Sequence, residues 1–200
     1  MVVPSNPADA GGLMVAALEL GSPVVFMEHK LISSVWLDFL GSGGRDTVTY
    51  DVPPQAERGF APEKWQPLPL GKASVQRYGS DITITTLGVG VHRSLQAVGI
   101  LERRGISAGV IDLRWVSPLD KAAVCEALSR TGRLLVVDED YEGFGLSGEL
   151  AALALEAGLS FRFARVCTQT TIPYARHLED ADLPNVQRIV RACEELVGGK

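Results

Sequence analysis

Gly143-Phe144-Gly145, followed by Gly148, has the Gly-x-Gly-x-x-Gly form by which a strand-to-helix turn can bring backbone N–H groups against a pyrophosphate. It follows the apolar run Leu134-Leu135-Val136-Val137 and opens a stretch of good helix formers over 148–157, the placement that nucleotide binding requires. Three features oppose that chemistry. Glu139 to Glu142 separate the strand from the first glycine, where the turn should be abrupt. Asp138, Glu139, Asp140 and Glu142 would repel the phosphates. About 20 residues further on, where a ribose-binding carboxylate belongs, stand Arg165 and Cys167. The glycines therefore read as packing residues that let the chain turn and the helix approach the sheet. Phe144, an aromatic ring between two glycines, calls for a cover from another chain or a second copy. Gly143, Phe144 and Gly145 are accordingly expected to form an interface element.

Other candidate chemistry is thinner. Asp138, Glu139, Asp140 and Glu142 could hold a divalent cation at a strand end, but a solvated acidic loop is the default reading. Glu28-His29-Lys30 offers an acid, an imidazole and an ammonium, yet neighbours in an extended chain point to opposite faces and cannot all meet one substrate atom. His92 is expected to face solvent from the first turn of a helix, near Arg93. His177 belongs to a polar segment after Pro173, and Arg114 at a strand end suits a structural salt bridge better than an anion site. No two histidines have metal-pair spacing, and the Gly-x-Ser-x-Gly elbow of α/β hydrolases is absent. Cys125, Cys167 and Cys193 are too scattered for a zinc site or a disulfide framework and read as small buried residues. The residues alone thus predict a module without a self-contained active site.

The elements that would carry these residues form two unequal pieces. Asp9 is read as the cap of a helix over 10–20, and Pro23-Val24-Val25-Phe26-Met27 as a short buried strand. From Gly41 to Pro69 there is no apolar period, and Gly and Pro recur, as in a linker or surface crossover. Strands then alternate with helices: strand 81–87, helix 91–104 closed by Gly105, strand 107–113, helix 119–130 closed near Gly132, strand 134–138, helix 148–157 and strand 161–166. Asn185 caps or begins a last helix that ends before Gly198-Gly199. The predicted fold is α/β, a Rossmann-like three-layer arrangement of a mostly parallel twisted sheet with helices on both faces. The domains are expected to be 1–45, a leading piece; 46–68, a linker; and 69–200, a unit able to fold alone. The leading piece has too few elements to close a core, so it is expected to be poorly protected or docked on a neighbouring copy.

A 46% apolar and 22% charged composition is that of a globular protein. The net charge of −5 argues against nucleic acid as a partner. No run approaches the ~18 apolar residues of a membrane span, and residues 1–7 lack the charged and apolar regions of a signal peptide, so a cytoplasmic location is expected.

Taken in order, several stretches resemble the beta subunit of thiamine-diphosphate-dependent 2-oxo acid dehydrogenases, and more widely the transketolase C-terminal domain. They are residues 2–10 (Val-Val-Pro-Ser-Asn-Pro-Ala-Asp-Ala), 23–30, Leu70-Gly71-Lys72-Ala73, Ile111-Asp112-Leu113-Arg114 with Ser117-Pro118-Leu119-Asp120, the run 132–139 leading into Gly143-Phe144-Gly145, and Ile172-Pro173-Tyr174-Ala175 with Leu178-Glu179. The resemblance implies a heterotetrameric oxidative decarboxylase of pyruvate, branched-chain or acetoin type. In it an alpha subunit binds the diphosphate and magnesium, and the beta chain's pyrimidine-binding domain supplies a glutamate for ylide formation and a histidine for the reacting centre. Both would lie upstream of Met1, and Glu28 and His29 are not substitutes for them. Residues 1–45 then read as the terminal remnant of the pyrimidine-binding domain, and the chain alone is expected to be inactive, with no catalytic or cofactor-binding residue of its own and no thiamine diphosphate or magnesium held by it.

The implied role is subunit assembly, with an alpha subunit or a complementary pyrimidine-domain chain, with the acyltransferase core and with copies of itself. The resemblance also implies a potassium site of backbone carbonyls at Ala17, Leu18, Leu20 and Ser22. Competing readings are a subunit of a split transketolase-like enzyme and a non-catalytic interaction module.

Overall fold

The computed structural model describes residues 1–33 and 59–199. Its framework is a five-stranded sheet in the order β1-β3-β2-β4-β5, built from β1 (Ser74–Arg77), β2 (Ile82–Thr86), β3 (Ala108–Asp112), β4 (Arg133–Tyr141) and β5 (Arg162–Thr168). β2 pairs in parallel with β3 and β4, and β4 with β5; only the edge strand β1 runs antiparallel, against β3. Every residue of β2 and β3 is buried, because helices cover both faces. The alternating composition of 81–87 therefore reflects Thr83 and Thr85 facing one helix layer and Ile82 and Ile84 the other. Thr83 Oγ1 donates to Ala127 O, which removes the cost of burying its hydroxyl.

Two helices lie on each face. Ile82, Ile84, Val110, Leu135 and Val137 pack with Ala97, Val98 and Leu101 of α2 (Val89–Arg103) and with Ile189, Val190 and Cys193 of α6 (Val186–Gly198). On the opposite face Ile111, Leu134 and Val136 pack with Val124 and Leu128 of α3 (Lys121–Thr131) and with Leu150 and Ala154 of α4 (Leu146–Glu156). Gly132 ends α3 in the left-handed conformation, φ 62°, and Asn185 caps α6 through its side chain, which accepts from Arg188 N. The three-layer α/β fold is as predicted.

Several boundaries differ. Residues 139–141, expected beyond the strand, form the outer end of β4, reached through a register shift after Val137. α2 begins at Val89, two residues early, and a short α5 (Arg176–Asp182) occupies the polar segment after Pro173. β1 went unread because Ser-Val-Gln-Arg has one apolar residue and lies mostly exposed at an edge.

The leading piece is docked on this chain's own sheet. α1 (Pro7–Glu19) is capped by Asn6, whose side chain accepts from Asp9 N, with Pro7 at the first helical position; Asp9 is inside the first turn. Residues 23–27 are extended but not buried, with Val25 and Met27 exposed. Their link is a bridge to Val2, which is in turn bridged to Trp115. Val2, Leu13, Ala16 and Trp115 form a small core that Val24, Phe26 and Leu68 flank. Of the expected linker 46–68, residues 46–58 lie outside the described residues. Trp65 and Leu68 cross α1 at Gly11-Gly12, and Leu68 N donates to Gly12 O. A Cβ on Gly11 would land in the Trp65 ring.

Candidate functional site

In a doubly wound sheet, ligands bind where neighbouring strands lead their helices to opposite sides, outside the strand C-termini. Here that point lies between β2 and β4, and the leading piece covers it. A space of about 50 Å³ remains there, lined among others by Val3, His29, Gly88, Val89, Asp138 and Glu139. Gly88 caps α2 without a side-chain hydrogen bond, which elsewhere makes an anion site. Burial raises the pKa of Asp138, and Glu139 faces the His29 imidazole and the Arg93 guanidinium. A diphosphate entering this space would meet two carboxyl groups, and among the described residues no group of three His, Cys, Asp or Glu is placed to hold a metal ion.

Two polar clusters fasten the leading piece over this edge. In the first, His29 Nδ1 accepts from Leu31 N, so Nε2 carries the proton that it donates to Glu139 Oε2 at 2.6 Å. Arg93 Nη1 donates to Glu139 Oε1 at 2.7 Å and to Pro184 O at 2.9 Å. Burial pushes the Glu139 carboxyl up, but the His29 hydrogen bond, joined by the charge and hydrogen bond of Arg93, holds it below its ordinary value. Glu139 is thereby a junction between the leading piece, α2 and the entry to α6. The acidic run marks Glu139 only as a possible metal ligand, and no motif gives a signal for Arg93. Glu28, His29 and Lys30 all line an open cleft of about 830 Å³ beside this junction, with Leu31, Ile172 and Pro184 among its walls.

The second cluster is more deeply buried. Ser5 Oγ donates to Asp112 Oδ2 at 2.5 Å, while Ser5 O accepts from His92 Nε2 at 2.5 Å. Arg114 donates to both Asp9 oxygens, at 2.7 and 2.6 Å, and its N–H donates to Asp112 Oδ1. His92, expected to face solvent, is buried because the chain at Ser5 lies across the first turn of α2; burial lowers its pKa. Burial likewise pushes Asp112 up to about 7, against the Ser5 and Arg114 hydrogen bonds and with the help of the Asp9 charge.

The glycine loop is split in its roles. Gly145 caps α4, and a Cβ there would strike Tyr141 O, so the close approach requires glycine. Gly143 has open space around its Cα. Phe144 is fully exposed at φ 65°, in the left-handed region that costs a branched or bulky residue energy. Tyr174 is equally exposed on the segment after β5. Ala17, Leu18, Leu20 and Ser22 fall at the C-terminal turn of α1, where the chain reverses at Gly21, φ 65°. Cys167 and Cys193 are buried and Cys125 partly so; burial pushes the Cys193 thiol up to about 12. No helix of the described residues is long and apolar enough to cross a membrane.

A parallel α/β sheet with an antiparallel edge defines a Rossmann-like domain, and its sequence matches the family model described as transketolase, C-terminal domain, over residues 71–189. The chain belongs to that family. It is 35% identical to acetoin:2,6-dichlorophenolindophenol oxidoreductase subunit beta of Bacillus subtilis (strain 168), over 98% of this chain and 52% of that protein. It is 37% identical to 2-oxoisovalerate dehydrogenase subunit beta of the same strain, over 98% and 55%. Pyruvate dehydrogenase E1 component subunit beta of Rhizobium meliloti (strain 1021) is 32% identical, over 97% and 38%. The chain thus spans about half the length, or less, of these relatives. A solved structure titled split gene transketolase, inactive beta4 tetramer, shares the fold with a TM-score of 0.76 at 20% identity, over 98% of this chain and 57% of that one.

Proposed function

We propose that this chain acts as the C-terminal part of the beta subunit of a 2-oxo acid dehydrogenase component, of pyruvate, branched-chain or acetoin type, and that its own work is assembly. The similarity to such beta subunits across nearly the whole chain supports the class. The observation that carries the assembly role is the outer surface of residues 10–27. Within it Glu19 is the one charged residue, and Met14, Leu18, Val25 and Met27 are exposed. A helix apolar on all sides needs cover on all sides, and the inner side of α1 is already taken by Val2, Trp115 and Leu68.

In this reading residues 1–45 belong to a pyrimidine-binding unit, 46–68 to a linker and 69–200 to the transketolase C-terminal-like domain. The partners are an alpha subunit or a complementary pyrimidine-domain chain, the acyltransferase core and further copies of this chain. Thiamine diphosphate and magnesium sit in the complete enzyme, on parts other than the described residues. Carbonyls of Ala17, Leu18, Leu20 and Ser22 are candidates for potassium, because the last carbonyls of a helix lack internal donors and carry its negative dipole end. Gly143, Phe144 and Gly145 supply a second contact surface. The assembly lies in the cytoplasm.

Co-expression with candidate alpha and pyrimidine-domain chains, followed by tag pull-down and a decarboxylation assay, tests this. A stoichiometric complex that Met14→Glu with Leu18→Glu disrupts is expected; assembly indifferent to that pair overturns the role given to α1. A split transketolase-like enzyme is the second reading, supported by the fold shared with a split gene transketolase. Ketol transfer, in place of 2-oxo acid oxidation, by the reconstituted complex would favour it.

A further inference from the structure

Ser5 touches two buried titratable groups of the domain at once: its hydroxyl meets Asp112 and its carbonyl meets His92. Neither group has a charged partner to itself. The Arg114 guanidinium beside Asp112 is committed to both oxygens of Asp9, and Arg93, next to His92, is turned to Glu139 and Pro184. Seating the leading segment therefore closes a space in which an aspartate and an imidazolium would each be left without a counter-ion, and each is cheaper there in its neutral form.

We propose that Ser5, Asp112 and His92 form a proton-compensated latch: seating residues 2–9 places a proton on Asp112 and removes one from His92, so the leading segment stays seated with little change from mildly acidic to neutral pH. In the open state at mildly acidic pH, Asp112 is an exposed carboxylate and His92 an exposed imidazolium. In the seated state at mildly acidic pH burial favours the carboxylic acid of Asp112, against the Ser5 and Arg114 hydrogen bonds that favour its carboxylate, and favours the neutral imidazole of His92. One proton is gained and one is lost through solvent, so the two states differ in where the proton sits and not in how many there are.

The signs follow from linkage. A carboxyl raised to about 7 contributes stability to the seated state that is full below its ordinary value and is lost as pH rises toward 7. A histidine lowered from 6.5 contributes stability that is full above 6.5 and is lost as pH falls. Below 6.5, wherever Asp112 and His92 are each charged in the open state and neutral in the seated one, the two slopes oppose each other, each at most about tenfold in the seating equilibrium per pH unit. The other titratable side chains on this piece are Asp9, held by Arg114; His29, held by Glu139; and Glu19, Glu28 and Lys30, which lie outside residues 2–9. They are common to all variants below.

Amide hydrogen exchange on the full chain tests the latch, at Val3 N, which donates to Arg114 O, and Val2 N, which donates to Val25 O, with Ile84 N of the central strand as the reference for global opening. In the parent, protection of Val3 relative to Ile84 should change less than about fivefold between pH 5 and 7. In His92→Gln it should fall steeply as pH rises, and in Asp112→Asn it should fall steeply as pH drops. Ser5→Ala keeps the carbonyl for His92 but removes the hydroxyl from Asp112. It should shift the carboxyl titration of Asp112, followed by carbon NMR, to higher pH than in the parent, and this readout stands if Asp112→Asn does not fold. A tenfold-per-unit dependence in the parent, an Asp112 midpoint near 4, or variants with the parent's flat profile would each overturn the proposal.

Discussion

Residues 71–199 and residues 1–33 are held by different physics. The sheet domain buries Ile82, Ile84, Leu134, Leu135, Val136 and Leu150 between two helical layers. The leading piece contributes Val2, Leu13 and Ala16 to a small core around Trp115 and relies on directed polar contacts: the Asp9–Arg114 fork, the Ser5 bridge, the His29–Glu139 pair and the glycine saddle under Trp65. Apolar burial is roughly proportional to area and tolerates substitution of one hydrophobe by another. A polar contact works at one geometry and leaves a cost behind when a partner is lost. The domain should therefore lose stability gradually and globally, whereas the leading piece should detach at single atoms.

The largest effect should come from Asp9→Ala. It leaves the Arg114 guanidinium, mostly buried, without its carboxylate, a loss of about 3–5 kcal/mol for a buried pair, discounted toward the lower figure because part of the pair is solvent-exposed. The loss should fall on residues 1–33: hydrogen exchange rises at Val2 and Val3 while Ile84 keeps its protection. Leu135→Ala in the central core sharpens the contrast. It should cost about 2–5 kcal/mol and lower the denaturant midpoint of the whole chain. If Asp9→Ala instead unfolds the sheet in the same transition, the two regions are one cooperative unit and the distinction fails.

The same division decides what could be read in advance. β2, β3, β4 and the helices of the sheet domain announce themselves through apolar runs, periodicity and glycine stops such as Gly132, because pattern follows from burial. The leading piece hides its logic, since a polar contact between Ser5 and Asp112 spans 107 positions of sequence and has no local signature. Asp9 looks like a helix cap because its type suits one, yet Asn6 with Pro7 is the better start and frees Asp9 for Arg114. His92 looks exposed because a helix's first turn normally is. Residues 23–27 look buried because they are apolar, and the structure leaves Val25 and Met27 uncovered. Where the site rests on long-range polar geometry, composition gives residue types and no partners.

Glycine-to-valine substitution at position 11 probes the saddle with a smaller expected effect. The new side chain must displace the Trp65 ring or push α1 outward, an overpacking cost of about 1–3 kcal/mol. Cleavage by a protease in residues 59–69 should accelerate, and Trp65 should become more accessible to a fluorescence quencher. The offset from replacing a mid-helix glycine is under about 1 kcal/mol, so a net gain in stability would mean that Trp65 contributes nothing to holding α1.

The smallest effect on stability, and the most informative about function, belongs to Phe144. Its ring touches solvent on every side and its backbone sits at φ 65°, so the fold gains nothing from the side chain and bears the strain of a left-handed residue. Phe144→Gly should leave the chain as stable or slightly more so, by about 0.5–1 kcal/mol. Phe144→Ala keeps most of the backbone strain and should be neutral within about 0.5 kcal/mol. Gly145→Val, one residue on, meets Tyr141 O and should destabilise the entry to α4. If the exposed ring is an interface element, both Phe144 variants weaken association in sedimentation equilibrium while leaving thermal unfolding of the dissociated chain in place, and Gly145→Val changes both. A nucleotide cradle would show the reverse for Phe144: NADH would bind saturably to the parent, Gly145→Val would abolish that binding, and removal of the ring would leave association untouched. The pair separates packing from contact because adjacent residues on one loop answer to different neighbours, Gly145 to a carbonyl of its own chain and Phe144 to a surface that the chain itself does not supply.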